Sequence, residues 1–177
     1  MEYLEYFDEK NEEKLGIEER ETIHKKNLWH REIAVWVVNE EKKLLLQRRS
    51  SKKKQGANKF SITAGHVGIN EKEIIAAQRE LYEEIGIECE EEELKLIGIY
   101  KNEQENNNCF SYTYLVKTNK EIKDMKMQEE EVSELKYISI EELEDRIQKV
   151  DEEITFVKKP HIKLALEKIK ETLWKKL

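Results

Sequence analysis

Proline occurs once in this 177-residue chain and cysteine only twice. Cys89 and Cys109 are too few for a disulfide framework and lack the paired spacing of a structural metal site, so both are expected as small buried residues. Long apolar runs are missing too. The longest, Ile33 to Val38, falls far short of the ~20 residues that a membrane span requires. The opening MEYLEYFDEK is acidic where a secretory leader would be basic and then apolar, so no leader is expected. Positive charge is in deficit: 32 Lys and Arg against 39 Asp and Glu leave a net charge of −7. That balance disfavours nucleic acid and anionic membranes as partners. What is left is one domain spanning residues 1–177, expected in the cytoplasm, 40% charged and 38% hydrophobic, and long enough for a real core.

Acid is in excess, and residues 65–87, GHVGINEKEIIAAQRELYEEIGI, concentrate it in Glu71, Glu73, Glu80, Glu83 and Glu84. Ile74, Ala77, Leu81 and Ile85 recur at three- and four-residue spacing, which predicts a helix with that stripe buried. Asn70 fits as its N-cap, with Glu73 as capping-box partner, and Gly86 suits the left-handed position that ends a helix. Glu80 precedes Glu83 by three residues and Glu84 by four, so these carboxylates project together. Like charges so placed repel, and Glu83 and Glu84 sit at the negative end of the helix dipole, at up to about 1 kcal/mol each. A solvated acidic face is one reading. A bound divalent cation, which turns the repulsion into attraction, is the other.

Around this stretch the chain alternates strands and loops. Residues 1–27 read as a β-hairpin, with a strand from Tyr3 to Phe7, a turn through DEKNEEKLG and a second short strand, packed on the edge of the main sheet. His24 and His30 flank the entry to the next strand; histidines so spaced can hold a metal, although surface or hydrogen-bonded roles are commoner. Ile33 to Val38 has the continuous apolar pattern of a strand buried on both faces. Lys43 to Arg48 is its partner, and the polar loop 48–59, RRSSKKKQGANK, follows with six basic residues. Phe60 to Ala64, Leu94 to Tyr100, Cys109 to Val116 and Leu135 to Ile138 are further strands. Ser139 with Glu142 forms a capping box that opens a helix to about Val150, and Pro160 opens a final one over 160–177 with Ile162, Leu164, Leu166, Ile169 and Leu173 apolar. The fold class is therefore α/β with a mixed sheet.

Gly65, Glu71 and Arg79-Glu80-Leu81-Tyr82-Glu83-Glu84-Ile85-Gly86-Ile87 match every defined position of the pattern G-x5-E-x7-R-E-U-x-E-E-x-G-U, where U is bulky and apolar. The chain thus resembles the MutT-like Nudix hydrolases, and a full match is too rare to expect by chance. The resemblance implies an α/β/α sandwich, with the N-terminal hairpin and C-terminal helix as additions. It also implies water attack on a diphosphate with Mg²⁺ or Mn²⁺ bound. By matching positions, Glu80, Glu83 and Glu84 are metal ligands, the Gly65 carbonyl is a further ligand, and Arg79 holds the carboxylates through an ion pair to Glu71 or Glu83. The general base is open among Glu80, Glu83 and the acids Glu129, Glu130 and Glu131, for each of which solvated surface is the commoner role. A homodimer is common among such enzymes.

The stretches WHREIAVWVVN, LLLQRRSSKKK and AGHV are also similar to the isopentenyl-diphosphate isomerases, a branch of the same fold. There, histidines matching His30 and His66 bind metal, and basic residues matching Arg49 and Lys53 meet the substrate diphosphate. That similarity implies Arg49, Lys53 and His66 as substrate-binding residues here. The isomerases carry a proton-transferring cysteine where Ala64 stands, and they depart from the strict box that this chain keeps. The expected activity is hydrolysis of a nucleoside diphosphate derivative or another small organic diphosphate. The alternatives are isomerisation of an isoprenoid diphosphate, and nucleotide sensing without turnover. Trp29, Phe60 and Tyr100 are the aromatic candidates to stack on a base, although core roles are commoner.

Overall fold

The structure is a computed structural model that describes residues 1–175. In chain order the elements are β1 (Tyr3–Phe7), β2 (Lys14–Glu19), α1 (Arg20–Lys25), β3 (His30–Val38), β4 (Leu44–Arg49), β5 (Phe60–Ser61), β6 (Thr63–His66), α2 (Glu73–Ile85), β7 (Lys95–Asn102), β8 (Cys109–Lys117), β9 (Val132–Ile138), α3 (Ile140–Gln148) and α4 (Ile162–Trp174). The main sheet is mixed, as expected: β3 and β8 run parallel, and the other pairings are antiparallel. Its main path is β5-β4-β3-β8-β7, with β6 paired to β3 and β9 to β4.

The run Ile33 to Val38 is apolar throughout because helices cover both faces of β3. Ile33, Val35 and Val37 point to α2, where Ala76, Ala77, Leu81 and Ile85 meet them. Trp36 and Val38 point the other way, to Leu143 and Ile147 of α3 and Ile162, Leu166 and Ile169 of α4. Period-two side-chain alternation in the strand thus builds an α/β/α sandwich.

Several local expectations are corrected. The hairpin β1–β2 is a separate two-stranded sheet that docks at the start of the central strand β3 rather than along an edge. Phe7 N–H donates to the Trp29 carbonyl, and the rings of Phe7, Trp29 and Phe110 pack together. Residues 20–25, read as part of the hairpin region, form the short helix α1. Phe60 to Ala64 is two strands, the second of which continues through Gly65 and His66. The last helix begins at Ile162, two residues after Pro160, and Leu164 is exposed; residues 176–177 of the expected helix lie outside the described residues.

Asn70 does not cap α2. Its φ is +56°, a left-handed turn, and the helix begins at Glu73 after Lys72 with no side-chain cap. Glu71 organises this entry instead, its Oε2 accepting from Gly68 N–H at 2.7 Å. At the other end Gly86 has φ +67°, its N–H donates to the Tyr82 carbonyl, and that of Ile87 donates to Leu81. A Cβ on Gly86 would be strained and would lie 3.0 Å from the Lys126 backbone nitrogen. Gly86→Ala should therefore destabilise the fold by about 1 kcal/mol or more, read as a lower urea midpoint at unchanged m-value.

Candidate functional site

Helix α2 and strand β6 meet where Gly65 faces Glu80. A Cβ built on Gly65 would overlap the Glu80 carboxylate, so in this position the carboxylate rests directly on the strand backbone and only glycine permits it. Arg79 secures this contact. Its Nε and Nη2 hold the two oxygens of Glu71 at 2.9 and 3.1 Å, Nη1 reaches Glu80 Oε1 at 2.7 Å and Glu83 Oε2 at 3.3 Å, and Nη2 also donates to the His66 carbonyl at 3.0 Å. The Glu71 carboxyl is held low: burial opposes this, but the bonds from Arg79 and Gly68 outweigh it. Glu83 is the outermost of the set, with an exposed side chain.

Glu84 is buried at 5% exposure and forms no ion pair among the described residues; its Oε2 accepts from Gln47 Nε2 at 2.6 Å. Burial pushes its pKa up to about 8, Glu80 and Glu131 adding to the rise while the Gln47 bond and Arg49 oppose it. Burial also raises Glu80, against the pull of Arg79. Glu80, Glu84 and Glu131 thus converge in a partly dry space. A hard divalent cation relieves that repulsion, and oxygen donors are the type that Mg²⁺ and Mn²⁺ take, so the residues fit such an ion.

The basic loop and the late acids come together beside this group. Lys53 pairs with Glu131, and Lys52 with Glu130 at 2.6 Å. Arg49 Nε donates to the Gln55 carbonyl at 3.1 Å, and the Arg49 charge reaches Glu84. Glu129 and Glu130 are exposed; Glu131 is half-buried. Of the aromatic candidates, Trp29 and Phe60 are buried, while Tyr100 is half-exposed and stacks on His161 with ring centroids 4.9 Å apart.

On the opposite face of β6 a second group assembles. Glu32 pairs with His66 across β3 and β6, and Ile33 pairs with Gly65, so His66 and Gly65 point to opposite sides. The ligating atoms of His24, His30 and His66 lie within 4.8 Å of one another. His24 Nε2 is 3.3 Å from His66 Nε2, and Glu32 Oε1 lies 3.3 Å from His30 Nε2 and 3.6 Å from His66 Nε2. Burial drives the His66 pKa down to about 4, so its ring is neutral near pH 7. Imidazole nitrogens are donors that suit a transition metal, a different chemistry from the carboxylates behind them. Cys109, buried as expected, donates its thiol to Glu32 Oε2 at 3.2 Å.

An open cleft of about 510 Å³ separates the hairpin from loop 66–71, with Glu2, Tyr3, His66, Glu71 and Arg79 in its walls. Sequence reasoning missed the hairpin as a wall of this cleft. It also missed Gln47, Thr63 and Glu32. The available signal was a polar residue inside an otherwise apolar strand, as in KLLLQR.

A family model described as NUDIX domain matches residues 28–158. An uncharacterized Nudix hydrolase of Clostridium acetobutylicum is 35% identical over 150 residues, covering 80% of this chain and 72% of that protein. Nudix hydrolase 3 of Arabidopsis thaliana is 33% identical over 160 residues, 83% of this chain, which spans only 21% of the plant protein's length. The crystal structure of DR0079 from Deinococcus radiodurans has the same fold, with a TM-score of 0.73 at 20% identity over 95% of this chain and 99% of that one. No helix among the described residues is long and apolar enough to cross a membrane.

The raised Glu84 pKa has a consequence for stability. Between the ordinary value of 4.5 and about 8 the folded chain keeps a proton that the unfolded chain has released. This term therefore stabilises below about pH 4.5 and is lost as the pH rises toward 8, at no more than about 1.4 kcal/mol per unit. His66 and His161, both held down to about 4 by burial, oppose this loss below pH 6.5, so melting of the cation-free protein should show it between pH 6.5 and 8, and Glu84→Gln should flatten it.

Proposed function

The chain belongs to the Nudix hydrolase family, and on that basis we propose that it hydrolyses the diphosphate of a nucleoside diphosphate derivative or another small organic diphosphate, with Mg²⁺ or Mn²⁺ held by Glu80, Glu83, Glu84 and the Gly65 carbonyl. The observation that carries this reading is the convergence of Glu80 and Glu84 beside Gly65, braced by Arg79. A cation bound there supplies neutralisation of the charge that builds on the phosphoryl oxygens. Arg79 acts as a brace rather than a substrate contact, because its donors are already turned to Glu71, Glu80, Glu83 and the His66 carbonyl. Arg49 and Lys53 lie close enough to the carboxylates to meet a diphosphate, and Lys53 exchanges Glu131 for a phosphate oxygen when one arrives. Released from Lys53, Glu131 is the acid best placed to take a proton from the attacking water, with Glu80 and Glu83 as the other candidates. His66 lies on the other face of β6 from the carboxylates but lines the open cleft with Glu71 and Arg79, and its neutral ring offers a hydrogen bond without charge to a phosphate oxygen that extends into that cleft.

Hydrolysis is favoured over isomerisation because Ala64 has no proton to transfer. A cytoplasmic setting accords with the free thiols of Cys89 and Cys109. The test is phosphate release from nucleoside triphosphates, nucleotide sugars, dinucleotides, coenzymes and isopentenyl diphosphate, with Mg²⁺ or Mn²⁺. At least one compound should turn over in the wild type, and Glu84→Gln should lower that turnover by about 100-fold or more, the scale of losing a group that stabilises transition-state charge. Equal turnover in the two proteins would overturn the site. Interconversion of isoprenoid diphosphates without phosphate release would replace hydrolysis with isomerisation.

A further inference from the structure

Gln47 is 3% exposed and Thr63 2%, two uncharged polar side chains carried into the core. They lie in different strands, Gln47 in β4 and Thr63 in β6, two residues before Gly65 and on the same face of that strand. Thr63 Oγ1 donates to Gln47 Oε1 at 3.0 Å, and Gln47 Nε2 donates to Glu84 Oε2 at 2.6 Å. Toward an ionised Glu84, the form that a cation requires, the chain of bonds has one sense. A hydroxyl spent on the amide oxygen turns the amide nitrogen toward the carboxylate, whereas a reversed amide would press its carbonyl against Glu84 and leave donors unpaired in the core. One oxygen of Glu84 is therefore held by protein, and Oε1 is the one left for a ligand.

We propose that Gln47 and Thr63 are positioning residues for the cation site, setting which Glu84 oxygen faces the ion and holding the carboxylate there before the ion arrives. The inference rests on the cation-binding role proposed for Glu84 and goes beyond it by naming what orients that ligand. Partners that orient a metal ligand typically change metal affinity by about 10–100-fold when removed. Filling buried space without orienting anything would predict a loss of stability with no selective effect on the ion.

The experiment titrates Mn²⁺ alone into wild type, Thr63→Val, Thr63→Ser, Gln47→Leu and Glu84→Gln, reading free Mn²⁺ by electron paramagnetic resonance, with thermal melts of each metal-free protein. Thr63→Val keeps the side-chain shape and loses the hydroxyl; Thr63→Ser keeps the hydroxyl. The expected result is Mn²⁺ binding weakened about 10–100-fold in Thr63→Val and Gln47→Leu, with Thr63→Ser within about twofold of wild type. In turnover assays the Mn²⁺ concentration for half-maximal rate should rise by the same factor, while kcat at saturating Mn²⁺ and KM for substrate stay near wild type. Wild-type affinity in Thr63→Val and Gln47→Leu overturns the proposal, as does an equal loss in Thr63→Ser and Thr63→Val. If Gln47→Leu shows no cooperative melt, the two Thr63 variants decide. Glu84→Gln separates the two levels of the reading and reports any Mn²⁺ taken by the histidine group. If it binds as tightly as wild type, the cation role of Glu84 falls and the positioning role falls with it; if it loses binding while Thr63→Val does not, only the positioning role falls.

Discussion

The guanidinium of Arg79 is the interaction on which the rest of the site depends. It joins Glu71 at the loop before α2, Glu80 and Glu83 along that helix, and the backbone carbonyl of His66 at the end of β6. Remove it and three carboxylates lose the countercharge that they share. The planar fork of arginine suits this task, because it gives Glu71 two parallel bonds and still has donors for the others. The same network explains why α2 starts without a side-chain cap: the loop ahead of it is already held by Glu71.

Around that brace, strand β6 divides two chemistries. Gly65 faces α2 and the carboxylates, while His66 turns to His24, His30 and Glu32. Adjacent residues of one strand point to opposite faces, so a single dipeptide serves both groups. The carboxylate side is acidic, partly dry and suited to a hard cation. The histidine side is built from three imidazole rings and suits softer ligand chemistry.

The electrostatics of the carboxylate side follow from where the charges were put rather than from their number. The chain has 39 acidic residues, and most are solvated. Glu84 differs because a helix face that is otherwise apolar carries it into the core beside Leu81 and Ile85. Its raised pKa expresses that burial, and Gln47 only moderates it. The clasp of Lys53 on Glu131 adds a partly exposed ion pair beside this group.

Much of this was legible in the order of residues. Helix α2, its apolar stripe and its Gly86 terminus follow from spacing and backbone preference, which are local. The continuous run of β3 announced burial on both faces, and the full acidic motif announced the family. Asn70 misled because a local cap competed with a tertiary ion pair and lost. The helix α1, the docking of the hairpin on β3, and the wall it gives the cleft depend on contacts between distant segments. The same holds for the Gln47–Thr63–Glu84 chain and the meeting of His24 and His30 with His66. By itself the sequence determined which residues bear charge and which elements carry them, since these depend on neighbours three or four positions away. Only the tertiary structure decided which of those charges lose their water, because burial is set by what packs on top.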